Sequence, residues 1–165
     1  MHHSQLWLKL SIATLMFASA SFGQKAHVSN RLALSVETGQ RKQAMSFSIS
    51  TLLTRNLYDV FGENDPARRR AAIDEIFTKD VVFYEGNKNV YRGRDEIDRV
   101  AGALRAQHPD FRYHVIVGAE EAGDGGRIQW LEGRPGETPV VAGTDFIIAR
   151  DGRIAAIYLF FDKLP

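Results

Sequence analysis

The 165-residue chain contains no cysteine, which excludes a disulfide framework, a zinc–thiolate site and a thiol nucleophile. It also lacks a surplus of charge of either sign: 21 Lys and Arg face 20 Asp and Glu, for a net charge of +1. Five of those basic residues and one acid fall within residues 1–45, leaving sixteen basic against nineteen acidic residues in 46–165. A nucleic-acid partner needs a strongly basic face, so the balance in 46–165 argues against one. Residues 126–129 bring no Lys-Ser/Thr and no helix start after Gly123-Asp-Gly-Gly126, so that stretch is a turn and not a phosphate loop. His108 and His114 stand apart and show no flanking acid pattern, whereas a zinc site needs three or four converging ligands, so no metal is expected. There is no internal repeat and no low-complexity segment. What remains is ordinary globular composition, 44% hydrophobic and 25% charged, with enough chain for one cored domain and an appendage.

The N-terminus reads as that appendage. Lys9 precedes the apolar run Leu10–Phe17, and Ala18-Ser19-Ala20 closes it. A short apolar core after a positive charge, ended by A-x-A, is the pattern of an export signal covering residues 1–20. It is too short for a membrane-spanning helix, which takes roughly 20 apolar residues, so no stable membrane insertion is expected. Residues 21–45, polar and without periodicity, read as a linker. A mature chain from Ser21 would be periplasmic or secreted; translation from Met45 would instead leave a cytoplasmic protein without a signal.

Residues 46–165 read as one domain. Ile49, Leu52, Leu53, Leu57, Val60 and Phe61 recur at helical spacing, so 47–61 is expected to form one amphipathic helix ended by Gly62. Asp65-Pro66 is an N-cap with proline in the first helical position, opening a second helix through Phe77. Its Arg68-Arg69-Arg70 run reads as a solvated face. A strand over 80–85 and a short strand at Val90-Tyr91 flank the turn 86–89. A third helix runs from Arg94 to about Gln107, before Pro109. Four strands follow over 111–121, 126–133, 138–150 and 153–162, with hairpin signals at Gly123–Gly126 and Asp151-Gly152. Helices followed by a meander indicate an α+β fold, with three helices covering the concave side of a curved antiparallel sheet and an apolar pocket inside the cone.

Phe77-Thr-Lys-Asp-Val-Val-Phe-Tyr-Glu85-Gly, with Tyr91-Arg-Gly93 and a helix after it, resembles the first hairpin of the SnoaL-like and ketosteroid isomerase-like families of the nuclear transport factor 2-like (NTF2-like) superfamily. Val140-Val-Ala-Gly-Thr-Asp145-Phe is similar to the isomerase strand that carries an oxyanion-binding aspartic acid. The resemblance implies that Glu85 is a general base and Asp145 an oxyanion donor. It further implies a small apolar ligand and either isomerase or cyclase chemistry without a cofactor, or a non-catalytic ligand-binding or dimerisation module of the same fold. Counting back from Asp65 puts Leu57 where the isomerases carry a tyrosine; Tyr58, one residue off, is the candidate to replace it.

The residues support this chemistry on their own terms. Alternate residues of a strand share a face, so Phe83 and Glu85 point the same way. A carboxylate beside apolar walls binds its proton more tightly and suits removal of a proton next to a carbonyl. Asp145, between Val140-Val141 and Phe146-Ile147-Ile148, sits where a desolvated carboxyl tends to stay protonated; that it then donates to an oxyanion is what the resemblance to the ketosteroid isomerases implies. Phe83, Trp130 and Tyr58 are the candidate substrate-binding residues. Near-continuous apolar content over 138–161 points to a sheet covered on both faces, and hence to a homodimer.

Overall fold

In the computed structural model, residues 46–86 and 89–165 are described. The expected signal, linker and alternative start at Met45 lie outside them.

Helix α1, Ile49–Arg55, is opened by Ser48, whose hydroxyl accepts the Thr51 N–H at 3.1 Å. It continues not as α-helix but as a π-helical turn, Asn56–Phe61, so the single regular helix expected over 47–61 is corrected. Such wide turns recur at functional sites, and this one carries Asn56 and Leu57 into the core, at 0% and 1% exposure.

Helix α2, Pro66–Ile76, starts where Asp65 Oδ1 accepts the N–H groups of Ala67 and Arg68, both at 2.9 Å. Arg69, expected in water, is buried. It shares a helix face with Ala72, Ile73 and Ile76 at spacings of three, four and seven, the face that packs inward. Its guanidinium bonds Asp98 at 2.8 Å, so the buried charge is paired. Arg68 and Arg70 do reach the surface.

Strand β1, Phe77–Glu85, follows α2 without a loop; β2 is Asn89–Arg92 and helix α3 Arg94–Gln107. Strands β3 (Arg112–Ala122), β4 (Gly125–Gly133), β5 (Val141–Arg150) and β6 (Arg153–Phe161) complete a six-stranded sheet of order β2-β1-β6-β5-β4-β3. The β5 strand begins at Val141 rather than 138, just beyond Pro139, which has no N–H for a ladder. The β5–β6 hairpin turns on Asp151 and Gly152, both with positive φ, as a two-residue turn of this hand demands.

Four of the sheet's contacts are antiparallel, and β1–β6 is parallel. The last strand therefore lies in the middle of the sheet. Register shifts in β1, β3 and β5 mark bulges that bend it. The three helices fill the bend, with Leu52, Leu53, Leu57, Ile73, Ile76 and Ile97 against Phe77, Ile147 and Ile157. Gly126 is needed where α1 meets the sheet, since a Cβ there would lie 2.5 Å from both Ile49 Cγ2 and Glu120 O. This is the α+β cone expected from the order of elements.

Candidate active site

Strand register builds the site row by row. On the inner face, Glu85, Leu159 and Asp145 stand side by side on β1, β6 and β5. Two strand spacings separate the Cα atoms of the two acids, about 10 Å. The next row inward pairs Phe83 with Ile157. In the other direction Phe161 and Trp130 flank Gly143, and beyond them come Val141, Glu132 and Tyr113. These residues, closed by Leu57, Phe61, Val100 and Leu104 from the helices, line a cavity of about 150 Å³. A dry apolar cavity of that volume holds a single benzene ring.

Asp145 is buried at 5% exposure. Its Oδ1 accepts Trp130 Nε1–H at 3.2 Å and its Oδ2 accepts Asn56 Nδ2–H at 2.9 Å. Burial pushes its pKa up from 3.8 to about 7, against the pull of these two donors, which favour the anion. The group therefore changes protonation state near neutrality. Gly143 makes the Trp130 contact possible: a Cβ there would stand 2.6 Å from the indole. The ring thus lies against bare backbone with its N–H turned to Asp145.

Glu85 is half-buried at the other side of the row. Its Oε2 accepts Asn89 Nδ2–H at 2.7 Å and Tyr91 O–H at 3.0 Å, while Oε1 accepts no bond from a described residue. Phe83 packs edge-on to Phe61 at 5.5 Å and beside Tyr91 at 5.6 Å, walling the Glu85 side with aromatic carbon.

Four of the five candidate residues, Glu85, Asp145, Phe83 and Trp130, are therefore brought to one cavity. Tyr58 is not. It is 44% exposed while its neighbour Leu57 lines the cavity; one residue turns a helix by about 100°, and the π-helical turn does not compensate. The expectation that Tyr58 binds substrate is corrected, and Asn56 occupies the place on the first helix that faces Asp145.

Sequence reasoning missed Asn56, Glu132 and Arg105. Each had one signal, a polar residue at an inward position. Asn56 falls three residues after Leu53 and four after Leu52, on their stripe. Glu132 continues the Ile128, Trp130 alternation, and Arg105 lies four residues after Ala101. Among the described residues no group of three or more His, Asp or Glu side chains could hold a metal. No described helix is long and apolar enough to cross a membrane.

The chain belongs to the SnoaL-like domain family, whose family model matches residues 54–157. Solved structures share its fold. A "putative isomerase of the SnoaL-like family" from Agrobacterium tumefaciens is 22% identical, covering 70% of this chain and 97% of its own, with TM-score 0.64. A "putative SnoaL-like polyketide cyclase" from Jannaschia sp. is 17% identical over 70% and 89% of the two chains, with TM-score 0.53. A "putative ketosteroid isomerase" from Kribbella flavida is 16% identical over 69% and 78%, with TM-score 0.52. No curated protein matches the chain in sequence.

Proposed function

We propose that the domain binds a small, apolar carbonyl compound and moves a proton on it without a cofactor, as an isomerase or cyclase does. One observation carries the reading: two carboxyl groups, Asp145 buried and Glu85 only half-buried, flank Leu159 in a single apolar cavity. Glu85, fixed by Asn89 and Tyr91 with one oxygen unused, takes a proton from the carbon next to the carbonyl. The electron pair left behind moves onto the carbonyl oxygen. Asp145, protonated over the lower part of the neutral range, donates a hydrogen bond or its proton to that oxygen. Glu85 then returns its proton to the same or the conjugated carbon. The cavity volume favours one-ring or short-chain compounds over fused ring systems.

Conversion of cyclohex-3-enone to cyclohex-2-enone tests this, followed by NMR in D₂O so that simple exchange is also seen. Faster migration or deuterium uptake than in buffer is the expected result. A ketone that binds, by its shifts on the domain, yet gains no deuterium would overturn the proton-transfer reading and leave a binding module.

The same reading includes a homodimer. The outer face carries Tyr84 stacked on Tyr158 at 4.8 Å, Phe146 at 6.2 Å from Tyr158, and Phe160 at 56% exposure. Contiguous aromatic surface of this kind is costly in water. Light scattering at micromolar concentration should give twice the chain mass, and Phe160→Glu should return it to the monomer value. A monomer mass for the unaltered protein would remove the dimer.

A further inference from the structure

A third carboxylate enters the same cavity, and the chemistry above leaves it without a task. Glu132 lines the cavity two rows away from Asp145, on the neighbouring strand. Its side chain is 5% exposed, and that of its partner Arg105, reaching from α3, is 2% exposed. Arg105 Nη2 donates to Glu132 Oε1 at 2.6 Å, and Nη1 donates to the carbonyl of Phe111 at 3.0 Å.

The pair holds one carboxylate oxygen and leaves the other. Oε2 accepts no hydrogen bond from the described residues, in a wall otherwise built of Val141, Tyr113, Trp130 and Leu104. That oxygen is not sealed in the protein interior, since among the described residues the buried side-chain atoms without a partner are Asn56 Oδ1, Thr78 Oγ1 and Arg105 Nε; it is free to accept from a group in the cavity that Glu132 lines. Burial raises the proton affinity of Glu132, with Arg105 opposing. A pair serving only to pin α3 to the sheet would be better placed away from the cavity, or replaced by apolar side chains, which are often as stable.

We propose that Glu132, positioned by Arg105, is a ligand-binding residue that accepts a hydrogen bond from a hydroxyl group on the ligand. The ligand class is then a one-ring ketone carrying a hydroxyl on the side of the ring opposite its carbonyl. Spacing supports this. Two rows amount to about 13 Å along the strands. Each carboxyl group spends about 2.8 Å on its hydrogen bond. The several ångströms left match the separation of oxygens at opposite corners of a six-membered ring. The flat Trp130–Gly143 row lies between the two ends, where the ring would rest. The inference uses the carbonyl-binding cavity of the proposed function but requires no proton transfer.

The test is binding alone. Cyclohexanone, 4-hydroxycyclohexanone and 4-methoxycyclohexanone are titrated into the ¹⁵N-labelled protein and followed at the Trp130 indole signal. The hydroxyl compound should bind roughly ten- to a hundred-fold more tightly than the parent, the range for a hydrogen bond to a charged group. The methyl ether, which accepts but cannot donate, should gain nothing. Glu132→Gln leaves Arg105 without its charge partner and can fail to fold, so the informative variant is Glu132→Leu with Arg105→Met, which removes both charges. In it the preference should collapse while cyclohexanone still binds. Equal affinities for the hydroxyl compound and the parent, equal gain by the ether, a preference that survives in the double variant, or no binding of any of the three at millimolar concentration would each overturn the proposal. Discrimination without isomerisation of cyclohex-3-enone would sink the proton-transfer reading and leave this site standing; isomerisation without discrimination would do the reverse.

Discussion

Glu85→Gln is expected to slow deuterium uptake into a bound ketone by roughly 10²- to 10⁴-fold, the usual contribution of a positioned general base. The amide keeps the shape of the side chain and its place beside Asn89 and Tyr91, but cannot take up a proton at neutral pH. Ketone affinity should therefore hardly change. On the other side of Leu159, Asp145→Ala should slow exchange by roughly 10²- to 10³-fold, as for loss of an oxyanion donor. Asp145→Asn should cost less, because an amide still donates. Exchange rates and titrations on the same samples decide the matter. A Glu85→Gln protein that exchanges at the unaltered rate removes Glu85 as the base.

The second large effect is on stability and its pH dependence. The folded chain holds the Asp145 proton with a pKa of about 7, against 3.8 for the ordinary side chain. Between those values the folded state binds more protons than the unfolded one, so stability must fall as pH rises. The contribution is fully present below about pH 3.8 and gone once pH has passed the folded value of about 7. Three pKa units at 1.36 kcal/mol each give a loss of about 4 kcal/mol across that window. Surface carboxylates act the other way: Glu63, held near pKa 2 by Arg68 and the Asp65 N–H, loses its contribution only as the solution becomes strongly acid. The difference between the unaltered protein and Asp145→Asn isolates the one group. Urea midpoints from pH 4 to pH 8 should show the variant gaining on the parent as pH rises, with the gap levelling off above neutrality. A pH-independent gap would mean that Asp145 is ionised throughout.

Local signals carried much of the fold. Asp65-Pro66 announced α2, Asp151-Gly152 announced the last hairpin, and the alternation through Phe83 and Glu85 was enough to turn both side chains to one face. Asp145 stood out because a lone acid in an apolar strand must be either paired or protonated. Other features had no local signature. The β1–β6 contact joins Phe77 to Ile154, and nothing near either residue names its partner. Arg69 looked like part of a solvated run because Asp98, which neutralises it, comes from a different helix. Counting back from Asp65 put Leu57 at the inward place, and Leu57 does line the cavity; Tyr58 was named only as the nearest tyrosine, and the turn between neighbouring helix residues carries it to the surface. Asn56 and Glu132 were visible as polar residues on apolar stripes, but their role depends on what stands opposite.

The central place of β6 has a consequence for synthesis. Residues are added from the N-terminus onward, so β1 and β2 leave the ribosome well before the strand that joins them to β5. Until then the β1–β2 hairpin, with Glu85 on it, and the β3–β4–β5 meander, with Asp145, are separate pieces with unpaired edges. Contacts between residues this far apart in the chain form slowly, and open strand edges invite pairing with other chains. Interruption of the message shortly before β6 would thus yield two half-sheets rather than a domain missing one edge. The two acids share a cavity only after the final strand has been made.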